Sequence, residues 1–350
     1  MSTNTQKALV LEKLNGDFVV TDWPIPVPQA GEVLVKIEAT ALNPVDWKIQ
    51  KIFGQFIKDY PAILGVDISG EVVELGEGVT NVKKGDKVFF QGQRAEGDAK
   101  YRNAGFQQYT ITDVRTIAKI PSNISITEAA AIPAGFITSP VGLFLEKPLG
   151  AGLENAFTTG KGRYSNQPIV ILGGSSAVGQ FAIQVARLSG FNPIVTTSSL
   201  KHTEFLKSLG ATHVVDRGLP SEDTQKAIKA IVPTPVTLVY DAVSTKDTQE
   251  LGIKILAPNG TIVLTLPPEV EASDGKEVIF ARAPKEFPRV YQLLTELYPK
   301  LTGLLEERVI KPIRVEVLPG GLNGIVAGLK RLEEGTVSGT KLVVLPQETV

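Results

Sequence analysis

Between residues 168 and 266 short apolar runs alternate with segments of helical spacing, and this pattern limits the fold more than any other feature. "PIVILG" is followed by "AVGQFAIQVARLSG", "PIVTTS" by "LKHTEFLKSLG", "THVVD" by "SEDTQKAIKAIV" and "TLVYDAV" by "TKDTQELGIKIL". The apolar runs show no in/out alternation, as expected of strands covered by helices on both faces. Strand and helix in turn imply βαβ units and a parallel, doubly wound sheet. The first 120 residues differ: "KALVLE", "VLVKIEAT", "SGEVVELG", "DKVFF" and "QQYTITD" are β-type runs separated by Gly, Pro and Asn turns. A capping-box signature, Ser125-x-x-Glu128, opens an apolar stretch at the change of pattern. β-type runs return near the other end in "IRVEVLPG" and "KLVVLP". The expected plan is an α/β domain at 125–310 inserted into a β-rich domain made of 1–124 and 311–350.

Composition excludes several functions. Lys and Arg number 36 against 37 Asp and Glu, a formal net charge of -1, so no basic field is available for nucleic acid. There is no cysteine, which removes disulfides, thiol catalysis and zinc–thiolate sites. The opening "MSTNTQKALVLEKLNGD" lacks the apolar core of a secretory signal, and no uninterrupted apolar run approaches the ~18 residues of a membrane span. A cytoplasmic protein without a membrane partner is expected. Oligomeric state is not legible beyond monomer or homodimer.

The first βα junction reads "IVILGGSSAVGQFAIQVARLSG". Gly173, Gly174 and Gly179 permit a sharp turn and close approach of a ligand to the backbone. The helix behind them offers unpaired N–H groups and a positive dipole end to a pyrophosphate. Ser175 and Ser176 add hydroxyls, and Ala177 and Val178 open the helix. The spelling departs from G-x-G-x-x-G, because Ser176 stands where a glycine would, but the βαβ context favours a dinucleotide. The second strand tests the reading. NAD-binding units end it with a carboxylate on the ribose hydroxyl, whereas residues 191–201, "FNPIVTTSSLK", contain no Asp or Glu. Ser198, Ser199 and Lys201 occupy the place, and hydroxyls with an ammonium suit the extra phosphate of NADP(H).

"GVDISGEVVELGEGVTNVKKGDKV", "ALNPVDWK", "AAAIPAGFIT", "LGGSSAVGQFAIQVAR" and "SGTKLVV" together resemble the medium-chain dehydrogenase/reductase superfamily, in its quinone-reductase and enoyl-reductase branch and nearest to fungal trans-acting enoyl reductases. The resemblance covers nearly the whole chain. It implies a Rossmann-type sheet inserted into a GroES-like domain, and an NADPH-dependent reduction of an activated C=C bond or a quinone. The zinc branch carries "GHE" where this chain has Gly65, Val66 and Asp67, and the structural-zinc cysteines are missing, so no metal is expected. The two histidines, His202 and His213, are expected to be an exposed helix residue and a strand-end residue.

By the same resemblance Asn43, Asp46 and Lys48 line the nicotinamide end, with Lys48 touching cofactor or substrate carbonyl and Asp46 counted with the cofactor contacts. Asn-Pro is also a turn former, and Asp46 also suits a helix cap. Thr138 matches a threonine near the carboxamide. Asp241, Ala242 and Val243 end one strand, Leu264, Thr265 and Leu266 the next, both at the carboxyl edge where such sheets bind ligands, and Val243 with the following Ser244 is expected to touch the cofactor through backbone groups. Lys341 holds a family-typical position and is counted with the cofactor contacts. Tyr60, Gln93, Tyr101 and Phe106 are expected to wall a small-molecule pocket, and the proton donor is left open among Tyr60, Tyr101, Lys48 and water. Trp23 and Trp47 are read as packing residues. The substrate is either a small free molecule or an acyl chain on a polyketide synthase carrier; a non-catalytic NADPH-binding protein is the reading from another class.

Overall fold

The computed structural model describes residues 4–57, 59–92, 102–232 and 234–350. In chain order the first elements are β1 (Thr5–Leu11), β2 (Phe18–Pro24), β3 (Glu32–Ala41), α1 (Pro44–Lys51), β4 (Ala62–Ile63), β5 (Asp67–Leu75), β6 (Lys87–Gln91), β7 (Tyr109–Asp113) and β8 (Ile117–Lys119). There follow α2 (Ile126–Ala130), α3 (Pro133–Phe144), β9 (Ile169–Leu172), α4 (Ala177–Ser189), β10 (Ile194–Ser198), α5 (Thr203–Leu209), β11 (His213–Asp216), α6 (Ser221–Ile231), β12 (Leu238–Asp241) and α7 (Lys246–Ile255). The last are β13 (Thr261–Leu264), β14 (Glu277–Phe280), α8 (Pro288–Glu306), β15 (Val315–Val317), α9 (Gly324–Glu333) and β16 (Lys341–Val344).

These elements form two compact units, one of residues 1–134 with 284–350, the other of 135–283. The first is β-rich. A three-stranded sheet runs β2-β1-β4, and a larger one runs β15-β16-β3-β5-β6-β8 with β7 also paired to β3. All pairings are antiparallel except β15 with β16. Leu9, Leu11, Leu42, Ile63, Phe106, Leu322 and Leu342 share its core, with Trp23 and Trp47 packed against it. Ser125 caps α2 as its spacing predicts: its Oγ accepts from the Glu128 N–H at 3.2 Å, while Glu128 accepts from the Ser125 N–H at 2.8 Å.

The second unit is a six-stranded parallel sheet in the order β11-β10-β9-β12-β13-β14. Counted from β9, this is 3-2-1-4-5-6, the doubly wound order with its switch point between β9 and β12. Ile169, Val170, Ile171 and Leu172 are all fully buried, which explains their unbroken apolarity. Each such side chain contributes about 1.5–3 kcal/mol of burial. Helix α4 is buried from Gly179 to Ala186 and stops at Gly190, whose φ of 92° only glycine adopts readily.

The boundaries differ from those expected. Residues 125–134 and 284–310 group with the β-rich unit. Ile126 and Ala130 of α2 pack with Ala39, Ala41 and Val343. On α8, Thr302 donates to the Lys119 carbonyl at 2.8 Å, and the Leu305 carbonyl accepts from Asn123 at 3.0 Å. An amphipathic pattern shows that a helix has a buried face, but not which sheet that face covers. The helical stretch 126–144 is long and apolar enough to cross a membrane by composition, and 72 % of its apolar window is buried inside the structure, as in core helices. His202 is also a correction: it is buried at the start of α5, whereas His213 is exposed at the start of β11.

Candidate functional site

In the nucleotide-type unit the turn after β9 is built by exclusion. Gly173 has φ 78°, and a Cβ there would lie 2.2 Å from Val243 Cγ2. A Cβ on Gly174 would meet Thr196 Oγ1 at 2.1 Å, and one on Gly179 the Gly173 carbonyl at 2.3 Å. The Gly173 N–H donates to Thr197 Oγ1 and the Gly174 N–H to the Thr197 carbonyl, at 3.0 and 2.9 Å. Ser176 is the N-cap of α4, its Oγ accepting from the Gly179 N–H at 3.0 Å. At the place where the strict spelling has a glycine, this chain therefore has a helix-capping serine. Internal bonds thus use the amides of Gly173, Gly174, Ser176 and Gly179. Those of Ala177 and Val178, in the first turn of α4, have no intrahelical acceptor, and with Ser175 they form the amide face of the turn.

At the carboxyl edge, Asp241 is a loop-former. Its Oδ1 accepts from the Val243 and Ser244 N–H groups at 3.0 and 2.8 Å, and burial raises its pKa against these bonds. The Ser244 hydroxyl donates to the Asp241 carbonyl at 2.7 Å and accepts from the Thr265 N–H at 2.8 Å, tying the ends of β12 and β13 together. Val243 is exposed beside Gly173, and Thr265 and Leu266 are half-buried. Leu264 is a correction: it is fully buried in the core beneath the sheet and has no free face. The Thr138 side chain is half-buried, and its carbonyl accepts from the buried Tyr240 hydroxyl at 2.9 Å.

At the end of β10, Ser198 is fully buried and its Oγ has no hydrogen-bond partner, while Ser199 is half-buried and Lys201 exposed. The exposed Arg217 was missed by the sequence reading. Its backbone N–H donates to the Ser198 carbonyl at 3.0 Å, so a second basic residue follows Asp216, the residue in register with Ser198, at the same strand end. The available signal was a basic residue just after the third strand. A glycine cradle with unpaired amides at the start of α4 fits the pyrophosphate of a dinucleotide.

The β-rich unit holds a separate buried polar cluster. Adjacent strands β16, β3 and β5 bring Lys341, Asn43 and Asp67 together. Lys341 Nζ lies 2.8 Å from Asp67 Oδ2 and donates to Asn43 Oδ1 at 2.5 Å; the Asn43 side-chain amide donates to Asp67 Oδ2 at 2.8 Å. Asp67 Oδ1 accepts from the Ala134 N–H at 2.6 Å. Two assignments change accordingly. Lys341, expected on the cofactor, is the 4 % exposed counter-ion of Asp67. Asp46 is fully buried and accepts from the Asn43 N–H at 2.8 Å, the capping role that its position at the start of α1 also allowed. Asp67 was the residue not singled out, since its partners are remote in sequence. Its charge, after burial, helps hold the buried Tyr298 phenol well above its ordinary pKa. Lys48 is half-buried on α1, 5.7 Å from the Trp47 ring centre, and loss of solvent lowers its pKa.

Of the expected pocket wall, Gln93 and Tyr101 lie outside the described residues. Tyr60 is half-buried with its hydroxyl donating to the Gly54 carbonyl at 3.3 Å. Phe106 is a correction: it is fully buried in the core against Gly65, where a Cβ would come within 2.4 Å of its ring. An aromatic in a loop-like sequence looks like a pocket residue until its packing is known.

Family models match at two places, the alcohol dehydrogenase GroES-like domain over residues 29–122 and the zinc-binding dehydrogenase domain over 177–280. The chain is 31 % identical over 97 % of its length to a zinc-type alcohol dehydrogenase-like protein of Schizosaccharomyces pombe, covering 99 % of that protein. It is 30 % identical over 95 % of its length to the enoyl reductase component of the lovastatin nonaketide synthase of Aspergillus terreus, covering 94 % of it. A mycobacterial protein solved with NADPH shares the fold with a TM-score of 0.76 at 21 % identity, over 97 % of this chain and 100 % of that one. The chain belongs to the medium-chain dehydrogenase/reductase superfamily and is an oxidoreductase, a Rossmann-like parallel sheet joined to a GroES-like domain. The zinc in the family description does not fit this donor set. There is no cysteine, and the one carboxylate of Gly65-Val66-Asp67 is committed to Lys341 and Asn43.

Proposed function

We propose that this oxidoreductase is an NADPH-dependent, zinc-independent reductase of electron-poor C=C bonds, in enones, enals or enoyl thioesters, or of quinones. The observation that carries the reading is the capped glycine turn, which leaves the Ser175, Ala177 and Val178 amides to a pyrophosphate. Ser199, Lys201 and Arg217 would hold the 2′-phosphate, and no carboxylate ends β10 to repel it. The nucleotide, when bound, supplies a hydride to the electron-poor carbon. Reduction of a conjugated bond spreads charge onto a carbonyl oxygen and asks less activation of it than reduction of a simple ketone does. Lys48 is assigned to that oxygen: its ammonium stabilises developing negative charge, and desolvation eases release of its proton. Asn43 and Thr138 are assigned to positioning. The buried Lys341–Asp67–Asn43 cluster fixes the entry to α1, and so the place of Lys48. A cytoplasmic monomer or homodimer acting on a small molecule accompanies this reading.

The A. terreus relative supports a second reading, because its description makes it a component of a synthase and the chain matches 94 % of it. In that case the substrate is an acyl chain presented on a carrier protein. Calorimetry with NADPH and NADH, followed by an absorbance assay at the nicotinamide band against enals, enones, quinones and a carrier-bound enoyl chain, separates the cases. Binding of neither nucleotide would end the proposal. Turnover of the carrier-bound substrate alone would select the second reading.

A further inference from the structure

The β-rich unit contains a cavity of about 470 Å³ lined by Glu32, Asp113, Lys285, Glu286 and Tyr291, among others. That size falls within the range of small-molecule sites. None of these residues belongs to the glycine turn or to the Lys341 cluster.

Lys285 is unusual among them. It lies on the segment between β14 and α8 and is only 5 % exposed. Its Nζ donates to the Thr112 hydroxyl at 3.1 Å, a neutral acceptor, and among the described residues no carboxylate stands within ion-pair distance of it. The acids nearby are committed elsewhere. Asp113 is held by Arg115, with contacts of 2.7 and 3.0 Å, and accepts from the Tyr291 hydroxyl. Glu32 Oε2 accepts from the Gln29 N–H at 2.8 Å and from Arg102 at 3.1 Å. Three donor positions on the ammonium and one protein acceptor leave the charged form poorly satisfied. Burial without an ion-pair partner therefore gives Lys285 a larger share of the neutral amine, with its lone pair, than an exposed lysine has.

We propose that this cavity is a second ligand site, at which the Lys285 amine captures a small uncharged aldehyde. The amine lone pair attacks the carbonyl carbon, the C=O π pair moves to oxygen, and one N–H proton transfers to that oxygen to give a carbinolamine. Loss of the hydroxyl with the second N–H proton as water leaves an imine: one aldehyde and one amine become one imine and one water. Desolvation lowers the Lys285 pKa to about 8, against the charges of Asp113, Glu286 and Glu32, which raise it, and with that of Arg115, which lowers it. Tyr291 is held protonated to about 12 by burial and by Asp113, so it does not add an anion near neutrality. The three carboxylates disfavour an anionic ligand, which is why an uncharged carbonyl compound is assigned. The site does not depend on the proposed reductase activity.

The test uses the full chain, without nucleotide, with propanal and cyanoborohydride at pH 7.5, read by peptide mass spectrometry. At that pH an amine of pKa about 8 is roughly one quarter neutral and an ordinary lysine roughly a thousandth. Lower basicity takes back part of that factor, leaving about tenfold. Lys285 is expected to be alkylated at least about ten times faster than the exposed Lys246 and Lys330, and Thr112→Val is expected to increase its rate further. Lys285→Met, with folding checked by circular dichroism, loses that adduct and keeps its nucleotide titration. Glyoxylate, carrying a charge, is expected to favour Lys285 over the exposed lysines less than propanal does. Labelling of Lys285 no faster than Lys246 in the unaltered protein would overturn the reactive amine. Equal preference with glyoxylate would overturn the assignment to uncharged ligands.

Discussion

Replacing Asp67 with alanine leaves the Lys341 ammonium buried without a counter-ion, since the two side chains are 0 % and 4 % exposed and 2.8 Å apart. Breaking a buried pair from one side costs about 3–5 kcal/mol, because the remaining charge keeps its desolvation penalty. The same carboxylate also accepts from the Asn43 side chain and the Ala134 N–H, and each stranded buried donor costs about 1–3 kcal/mol. These losses overlap, since Lys341 keeps its bond to Asn43 Oδ1, so the expected total is about 5 kcal/mol. That is comparable with the whole stability of many domains. The only two tryptophans, Trp23 and Trp47, both pack on the core of the β-rich unit, so fluorescence during urea unfolding reports on that unit. Asp67→Leu with Lys341→Met removes both charges and fills the space with apolar groups. It is expected to cost about 2–3 kcal/mol less than the sum of the single replacements. A loss below about 1.5 kcal/mol for Asp67→Ala, or a double variant equal to the sum, would refute the argument that the pair is coupled.

Other outcomes follow from single contacts. Gly174→Val places a branched side chain onto Thr196 Oγ1; calorimetry should show NADPH affinity reduced at least about tenfold, with about 1–3 kcal/mol of overpacking in an unfolding curve. Ser176→Ala removes the cap bond to Gly179 and should cost about 1 kcal/mol by thermal unfolding. Lys48→Met should lower kcat at least about tenfold in the absorbance assay while the NADPH Kd stays within about twofold. Asp113 is held down to about 2, burial being outweighed by hydrogen bonds from Arg115 and Tyr291. Because the folded pKa is the lower one, its stabilisation is present above about pH 4 and disappears as pH falls through about 2. Asp113→Asn should therefore differ from the unaltered chain by about 2 kcal/mol at pH 7 and converge with it near pH 2 in urea unfolding.

What the sequence disclosed was local. The turn at Gly173–Gly179 is spelled within a few residues, and the strand-then-helix alternation around it is a nearest-neighbour pattern, so both were readable. The same holds for the cap at Ser125 and Glu128. Asp67 with Lys341 was not readable as a pair, because sheet order rather than sequence proximity joins β16 to β3 and β3 to β5. Phe106 was expected at a ligand surface because it follows a polar, glycine-containing stretch, and Leu264 because it ends a strand at the carboxyl edge; only packing shows that each is enclosed. Lys285 carried no motif at all; its character comes from what surrounds it.

Lys341 and Asn43 are 298 positions apart, and every residue of the 135–283 unit is synthesised between them. Translation therefore delivers the nucleotide-type unit whole while the other still lacks β15 and β16. During that interval the Thr40–Ala41 end of β3 lacks its β16 partner, although β7 already covers Glu32–Lys36 of the same edge, and Asp67 has no cation. The host unit is completed last, after its guest has already had time to fold.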